Sequence, residues 1–187
     1  MNAATLPIWP VLYCNRSEQL KMSSIKTLYI IRHAKSSWDN AGQPDFDRPL
    51  NSRGIRDAQM LFSHWANEFK GVELIATSPA NRAKSTSMLL CQTVDLSQNL
   101  ISTYESLYEA SVANVYAVVK SFPDEVNIAA IVGHNPSLYY FANQYLKNQI
   151  ENLPTSGIVK LVFSCNSWGE ISRASLVDSK FDFPKNH

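Results

Sequence analysis

Short apolar runs alternate along this chain with longer stretches in which apolar residues recur every third or fourth position. Residues 25–31, "IKTLYII", form the first run and read as a strand covered on both faces. After a polar loop, Ile55, Ala58, Leu61, Phe62, Trp65, Ala66 and Phe69 recur at helical spacing, with Asn51 or Ser52 as cap and Gly71 as terminator. The unit then repeats. Residues 72–77 predict a second strand, followed by Ser78 as N-cap, Pro79 at the first helical position and a helix running through Leu89 and Leu90. A less regular stretch leads to Ser111, which caps a helix carrying Val112, Val115, Tyr116, Val119 and Phe122 on one side. Residues 127–132 predict a third strand, with Pro136 starting another helix, and "GIVKLVFSC" and "EISRASLVD" two more strands around a turn at Trp168 and Gly169. This order implies an α/β fold, a three-layer α/β/α sandwich on a mainly parallel central sheet.

Residues 1–24 fit none of this alternation and read as a tail; residues 25–187 read as one domain. The apolar piece at 8–13 is short, follows Pro7, is interrupted by Pro10 and lacks a preceding basic residue, so it resembles neither a signal peptide nor a membrane span. Met22, just ahead of the first strand, leaves open a later translation start.

Charge narrows the function. Seventeen basic and sixteen acidic side chains leave a net charge of +1 with no long block of one sign, which argues against a nucleic-acid or membrane-surface binder. Three widely spaced cysteines without a CxxC pair argue against a disulfide framework and a cysteine zinc site, and a cytoplasmic location is expected.

In parallel sheets, ligands gather beyond the carboxyl ends of strands. The residues that follow the predicted strands are Arg32 and His33, then Arg82, then His134. Each has an ordinary reading as a structural histidine or a solvated arginine. Arg82, however, falls in the first turn of a helix, where the dipole favours anions over cations, so an anion between them resolves the mismatch. A histidine beside arginines stays neutral, and therefore nucleophilic, near neutral pH. Attack on phosphorus follows from that combination.

The segments "LYIIRHAKSSW", "SPANRAKST" and "IVGHNP" resemble, in order and spacing, the three signatures of the histidine phosphatase superfamily, the phosphoglycerate mutase-like proteins. "DRPLNSRG", "LYEAS", "LPTSG" and the compact length resemble its phosphohistidine phosphatase group, SixA. The likeness runs from about residue 25 to 177.

The resemblance implies attack by His33 on a phosphoryl group whose oxygens Arg32 and Arg82 hold, a hydrogen bond from His134, and hydrolysis of the phosphohistidine intermediate without metal or cofactor. Ser36 falls where mutases carry a polar phosphate neighbour, whereas Asp39 replaces their usual asparagine. The family's LxE glutamate matches Glu109, with Glu105 as competitor and no donor at all as a third possibility; Glu109 also reads as a residue that merely precedes a helix cap. The implied substrate is a phosphohistidine-bearing protein or a small phosphorylated molecule such as a sugar phosphate, with inorganic phosphate as product. A non-catalytic phosphate-binding module is the reading from another class. Neither nucleic acid nor membrane is expected as a partner, and a monomer is expected. His64 and His187 read as surface residues, Trp38 as a shield of the site or a cover of the loop, and Arg48 and Arg53 as rim residues of structural duty, with aid to acidic substrates as the alternative.

Overall fold

The computed structural model describes residues 24–40 and 42–187; the expected tail lies outside them apart from Ser24. Six strands form one sheet in the order β3-β2-β4-β1-β5-β6. They are β1 (Ile25–Arg32), β2 (Leu74–Thr77), β3 (Ile101–Thr103), β4 (Ile128–Gly133), β5 (Ile158–Ser164) and β6 (Leu176–Asp182). The first four run parallel, and β5 and β6 add an antiparallel flank.

Helices cover both faces, as the continuous apolar character of β1 and β4 requires. On one face Tyr29, Ile31, Ile75, Ala130 and Val132 meet α1 (Ser52–His64), α2 (Ala66–Phe69) and α3 (Asn81–Val94). On the other Leu28, Ile30, Ala129 and Ile131 meet α4 (Val112–Lys120) and α5 (Ser137–Asn143). Each large side chain so buried contributes about 1.5–3 kcal/mol of hydrophobic free energy. Among the described residues, no helix is long and apolar enough to cross a membrane.

Several local expectations shift. The helix expected through residue 69 breaks at Trp65, whose indole Nε1 donates to Asp182 Oδ2 at 2.8 Å. Asn51 caps α1, its side chain accepting from the Gly54 N–H at 2.7 Å. Ser78 does not cap α3. That helix starts at Asn81 after Ala80 with no side-chain cap, leaving Pro79 outside it, and the Ser78 hydroxyl faces His134 instead. Pro136 likewise precedes α5 rather than opening it. Glu170 ends a 3₁₀ turn begun at Trp168 and residues 171–175 lie outside any strand, so the last strand begins at Leu176. The three-residue edge strand β3 occupies part of the stretch that looked irregular, being too short for a periodic signal.

Candidate active site

Parallel pairing of β1 with β4 sets Arg32 opposite Gly133, and the His33 N–H continues the ladder to Gly133 O at 3.0 Å. His33 and His134 thus leave adjacent strands at the same level, and their ring centroids lie 5.0 Å apart. Arg82 arrives from the first turn of α3, on the neighbouring side of β4. Arg32, His33, Ser36 and Arg82 line one cleft of about 270 Å³, together with Lys35 and Arg48.

His33 Nδ1 lies 2.7 Å from the Ala34 carbonyl. A carbonyl oxygen only accepts, so Nδ1 carries the proton and Nε2 keeps its lone pair. Burial lowers the His33 pKa to about 3, helped by the positive fields of His134, Arg82 and Arg32 and opposed by the bond to Ala34. His134 falls to about 4, chiefly through burial and next through Arg82 and Arg32, with Asp45 opposing them. Both rings are therefore neutral at pH 7. His134 Nε2 lies 2.9 Å from Ser78 Oγ, which fixes the ring's orientation.

The segment resembling "LPTSG" closes the edge of β1. Arg32 Nη1 donates to Leu153 O at 2.9 Å, and the Ser156 N–H, at a left-handed φ of 61°, bonds Arg32 O at 3.1 Å. Four buried side-chain atoms lack a hydrogen-bond partner among the described residues, and all belong to this edge: Arg32 Nε, His134 Nδ1, Asn135 Oδ1 and Ser156 Oγ. Unsatisfied buried polar atoms are rare and costly, and these four gather beside the two histidines.

Three neighbours of the site gave no sequence signal of their own. Asp45, in a 3₁₀ turn spanning Asp45–Asp47, takes both Arg82 Nη groups, through its backbone oxygen at 2.5 Å and its carboxylate at 2.9 Å. The same carboxylate pairs with Arg48 at 2.9 Å. Burial raises the Asp45 pKa, but the hydrogen bonds from Arg82, Arg48 and Tyr108 outweigh it and hold the group below its ordinary value. Tyr108 sets its ring edge-on to His134 with centroids 5.9 Å apart and donates to Asp45 at 3.2 Å. Thr86 joins β1 to α3, accepting from the Ala34 N–H at 2.9 Å and donating to Arg82 O at 2.7 Å.

Ser36 is buried in the cleft wall and accepts from Arg48 Nη2 at 2.5 Å. Arg48 spans the rim, donating also to Ser37 O at 2.9 Å and lying 3.2 Å from the centre of the exposed Trp38 ring. Glu109, Glu105 and Asp39 are exposed and lie outside the cleft lining; Glu109 has a left-handed φ of 49°. His64 and His187 meet each other on another part of the surface, with ring centroids 4.2 Å apart.

The model of the histidine phosphatase superfamily, branch 1, matches residues 28–116, from β1 into α4. An uncharacterised protein of Mycobacterium leprae is 31% identical over 144 residues, covering 70% of this chain and 86% of the relative. The structure of a candidate SixA phosphohistidine phosphatase from Agrobacterium tumefaciens is 26% identical, with a TM-score of 0.65 over 73% of this chain and 90% of that one. A phosphoglycerate mutase from Bacillus anthracis shares the fold at 13% identity, with a TM-score of 0.63 over 78% of this chain and 91% of that one. The sheet with its two helical layers is thus of the phosphoglycerate mutase-like kind, and the chain belongs to the histidine phosphatase superfamily as a SixA-like phosphatase hydrolase.

Proposed function

We propose that this protein removes phosphoryl groups from phosphohistidine through a covalent intermediate on His33. The observation that carries the reading is the tautomer of His33. Its proton is engaged by Ala34 O on Nδ1, which leaves Nε2 as an uncharged nucleophile among Arg32, Arg82 and His134.

In the first step the Nε2 lone pair attacks phosphorus. The Nε2–P bond forms as the substrate P–N bond breaks, and the departing imidazole nitrogen takes up a proton from solvent. Arg32 and Arg82 neutralise the equatorial oxygens, His134 donates to the developing charge, and Ser36 borders the same oxygens. In the second step water attacks phosphorus, the P–Nε2 bond breaks, the water gives up a proton to solvent, and inorganic phosphate leaves with His33 neutral again. Arg82 must exchange Asp45 for the phosphoryl oxygens on the way in.

The leaving group favours a phosphoramidate over a phosphate ester. Asp45 is the carboxylate bonded to the cleft arginines, and those bonds keep it ionised, while Glu109 stands exposed outside the lining. An alkoxide leaving group needs a positioned acid, whereas an imidazole accepts its proton readily. Glu109 is assigned as donor only for substrates large enough to span from the cleft to its carboxyl.

The test is a labelled phosphoramidate or phosphohistidine peptide, quenched during turnover. An acid-labile, base-stable adduct on His33 is expected. In His33→Ala the adduct should vanish and turnover should fall about 10⁴-fold or more, the scale of removing a covalent nucleophile. Unchanged turnover in that variant would refute the mechanism, and faster turnover of sugar phosphates than of phosphoramidates would reassign the substrate.

A further inference from the structure

Away from the cleft, three potential ligands converge from three segments. His64 comes from the last residue of α1, Asp182 from the end of β6, and His187 from the turn that follows it. One ligand atom from each lies within 4.8 Å of the other two. We propose that these residues bind a divalent transition-metal ion, with zinc the fitting occupant, and that the ion ties α1 to the turn after β6.

The donor chemistry points to that class. Two imidazole nitrogens and one carboxylate oxygen suit zinc, nickel, copper or cobalt, whereas magnesium and calcium favour sets made of oxygen alone. Zinc bonds of about 2.0–2.2 Å in a tetrahedron place neighbouring ligand atoms about 3.3 Å apart. His187 Nε2 already lies 2.9 Å from Asp182 Oδ2. Closing the set then requires only a rotation of the exposed His64 ring, from a separation no larger than 4.8 Å.

The carboxylate is held as a ligand needs to be. Asp182 Oδ1 accepts from the Phe183 N–H and from Asn186 Nδ2, each at 2.9 Å, and Oδ2 accepts from Trp65 Nε1 at 2.8 Å. Such outer contacts fix the orientation of metal ligands and tune their affinity. The nearby ammonium of Lys180 lies over the Trp65 ring at 4.2 Å and pairs with Glu68 at 3.6 Å.

A plain His187–Asp182 ion pair accounts for two of the three residues. It does not account for His64, whose ring approaches a second imidazole that would repel it if both were protonated. A bridging cation turns that approach into an attraction and needs both rings neutral, the form in which histidine ligates metals.

The experiment uses the full chain, stripped with chelator and titrated with zinc chloride by calorimetry. One ion per chain is expected. His64→Ala and His187→Ala should each weaken it by about tenfold or more, since even outer-shell changes cost that much. His64 is exposed and His187 is the last residue of the chain with a partly exposed side chain, and both lie away from the cleft, so both variants should fold and keep the phosphatase turnover of the parent. A His33→Ala/His134→Ala variant should bind zinc as the parent does, which separates this cluster from the His33–His134 pair. Cobalt substitution should give the visible absorption of a tetrahedral site in the parent and not in His64→Ala. Absence of binding, binding unchanged in both surface variants, or binding abolished by the His33→Ala/His134→Ala variant would overturn the proposal.

Discussion

Lowering the pH from 7 to 5 should destabilise this fold through two named side chains. His33 and His134 are buried as neutral rings with pKa values of about 3 and about 4, whereas in the unfolded chain both titrate near 6.5. Above about pH 6.5 both states are neutral and the pair adds no slope; below it the unfolded chain binds protons that the folded chain refuses, so stability falls with pH. At pH 5 the unfolded form gains about 1.5 pH units of protonation per ring, which at about 1.4 kcal/mol per unit is about 2 kcal/mol each and about 4 kcal/mol together. The slope ends only as the folded rings protonate, His134 near pH 4 and His33 near pH 3. Carboxylates held below their ordinary values, such as Asp182, lose their contribution only as the pH approaches about 4, so the interval from 7 to 5 isolates the imidazoles. Against a typical total of about 5–15 kcal/mol, a loss of this size is readily measured. Urea unfolding followed through the buried Trp65 and Trp168, at both pH values, supplies the measurement. A His33→Gln/His134→Gln chain should lose about 4 kcal/mol less than the parent over the same interval. If the two chains lose equal stability, the claim that these rings are held neutral by burial is wrong.

Asp45→Asn should tighten product inhibition by phosphate about fivefold, because it removes an exposed-rim competitor for Arg82 worth about 1 kcal/mol; weaker phosphate inhibition in the variant would show that Asp45 instead holds Arg82 in its working position. Ser78→Ala should lower kcat about tenfold with little change in KM, since it frees the His134 ring at a cost of about 1 kcal/mol in stability. An unchanged kcat would remove Ser78 from the positioning machinery. Gly54→Ala should cost about 1–3 kcal/mol and displace the loop bearing Ser36, because a methyl group there would stand 2.2 Å from the Lys35 carbonyl oxygen. A urea midpoint matching the parent's would show that this approach of α1 to the loop is not tight.

The sandwich was legible in the sequence because long apolar runs such as 25–31 and helical repeats such as that from Ile55 report burial directly. Arg32, His33, Arg82 and His134 could be located because each directly follows a strand or opens a helix, positions that the chain order alone brings to one sheet edge. Asp45 was not legible. Its partner Arg82 is 37 residues away, and their meeting depends on a rim turn with no periodic pattern. The role of Ser78 is hidden for a related reason: a serine before a proline signals a cap locally, but the hydroxyl meets a histidine 56 residues on. Trp65 ended a helix that its neighbours would have continued, because its indole is drawn to Asp182 across 117 residues. Local spacing predicts elements and strand ends; it does not report side-chain partners chosen by tertiary proximity.

The two site imidazoles hang from neighbouring strands whose backbones are hydrogen-bonded in register up to the residue before each ring. Their 5.0 Å gap is therefore close to the lateral repeat of a β-sheet, about 4.8 Å. Loops around the rim can change in length and charge, and so in the molecules they admit, while the central gap stays constant. A slip of β1 against β4 would alter the backbone spacing, and such a slip would carry Leu28 and Ile30 out of one core and Tyr29 and Ile31 out of the other. The spacing on which the proposed chemistry depends is thus guarded by the stability of the whole domain.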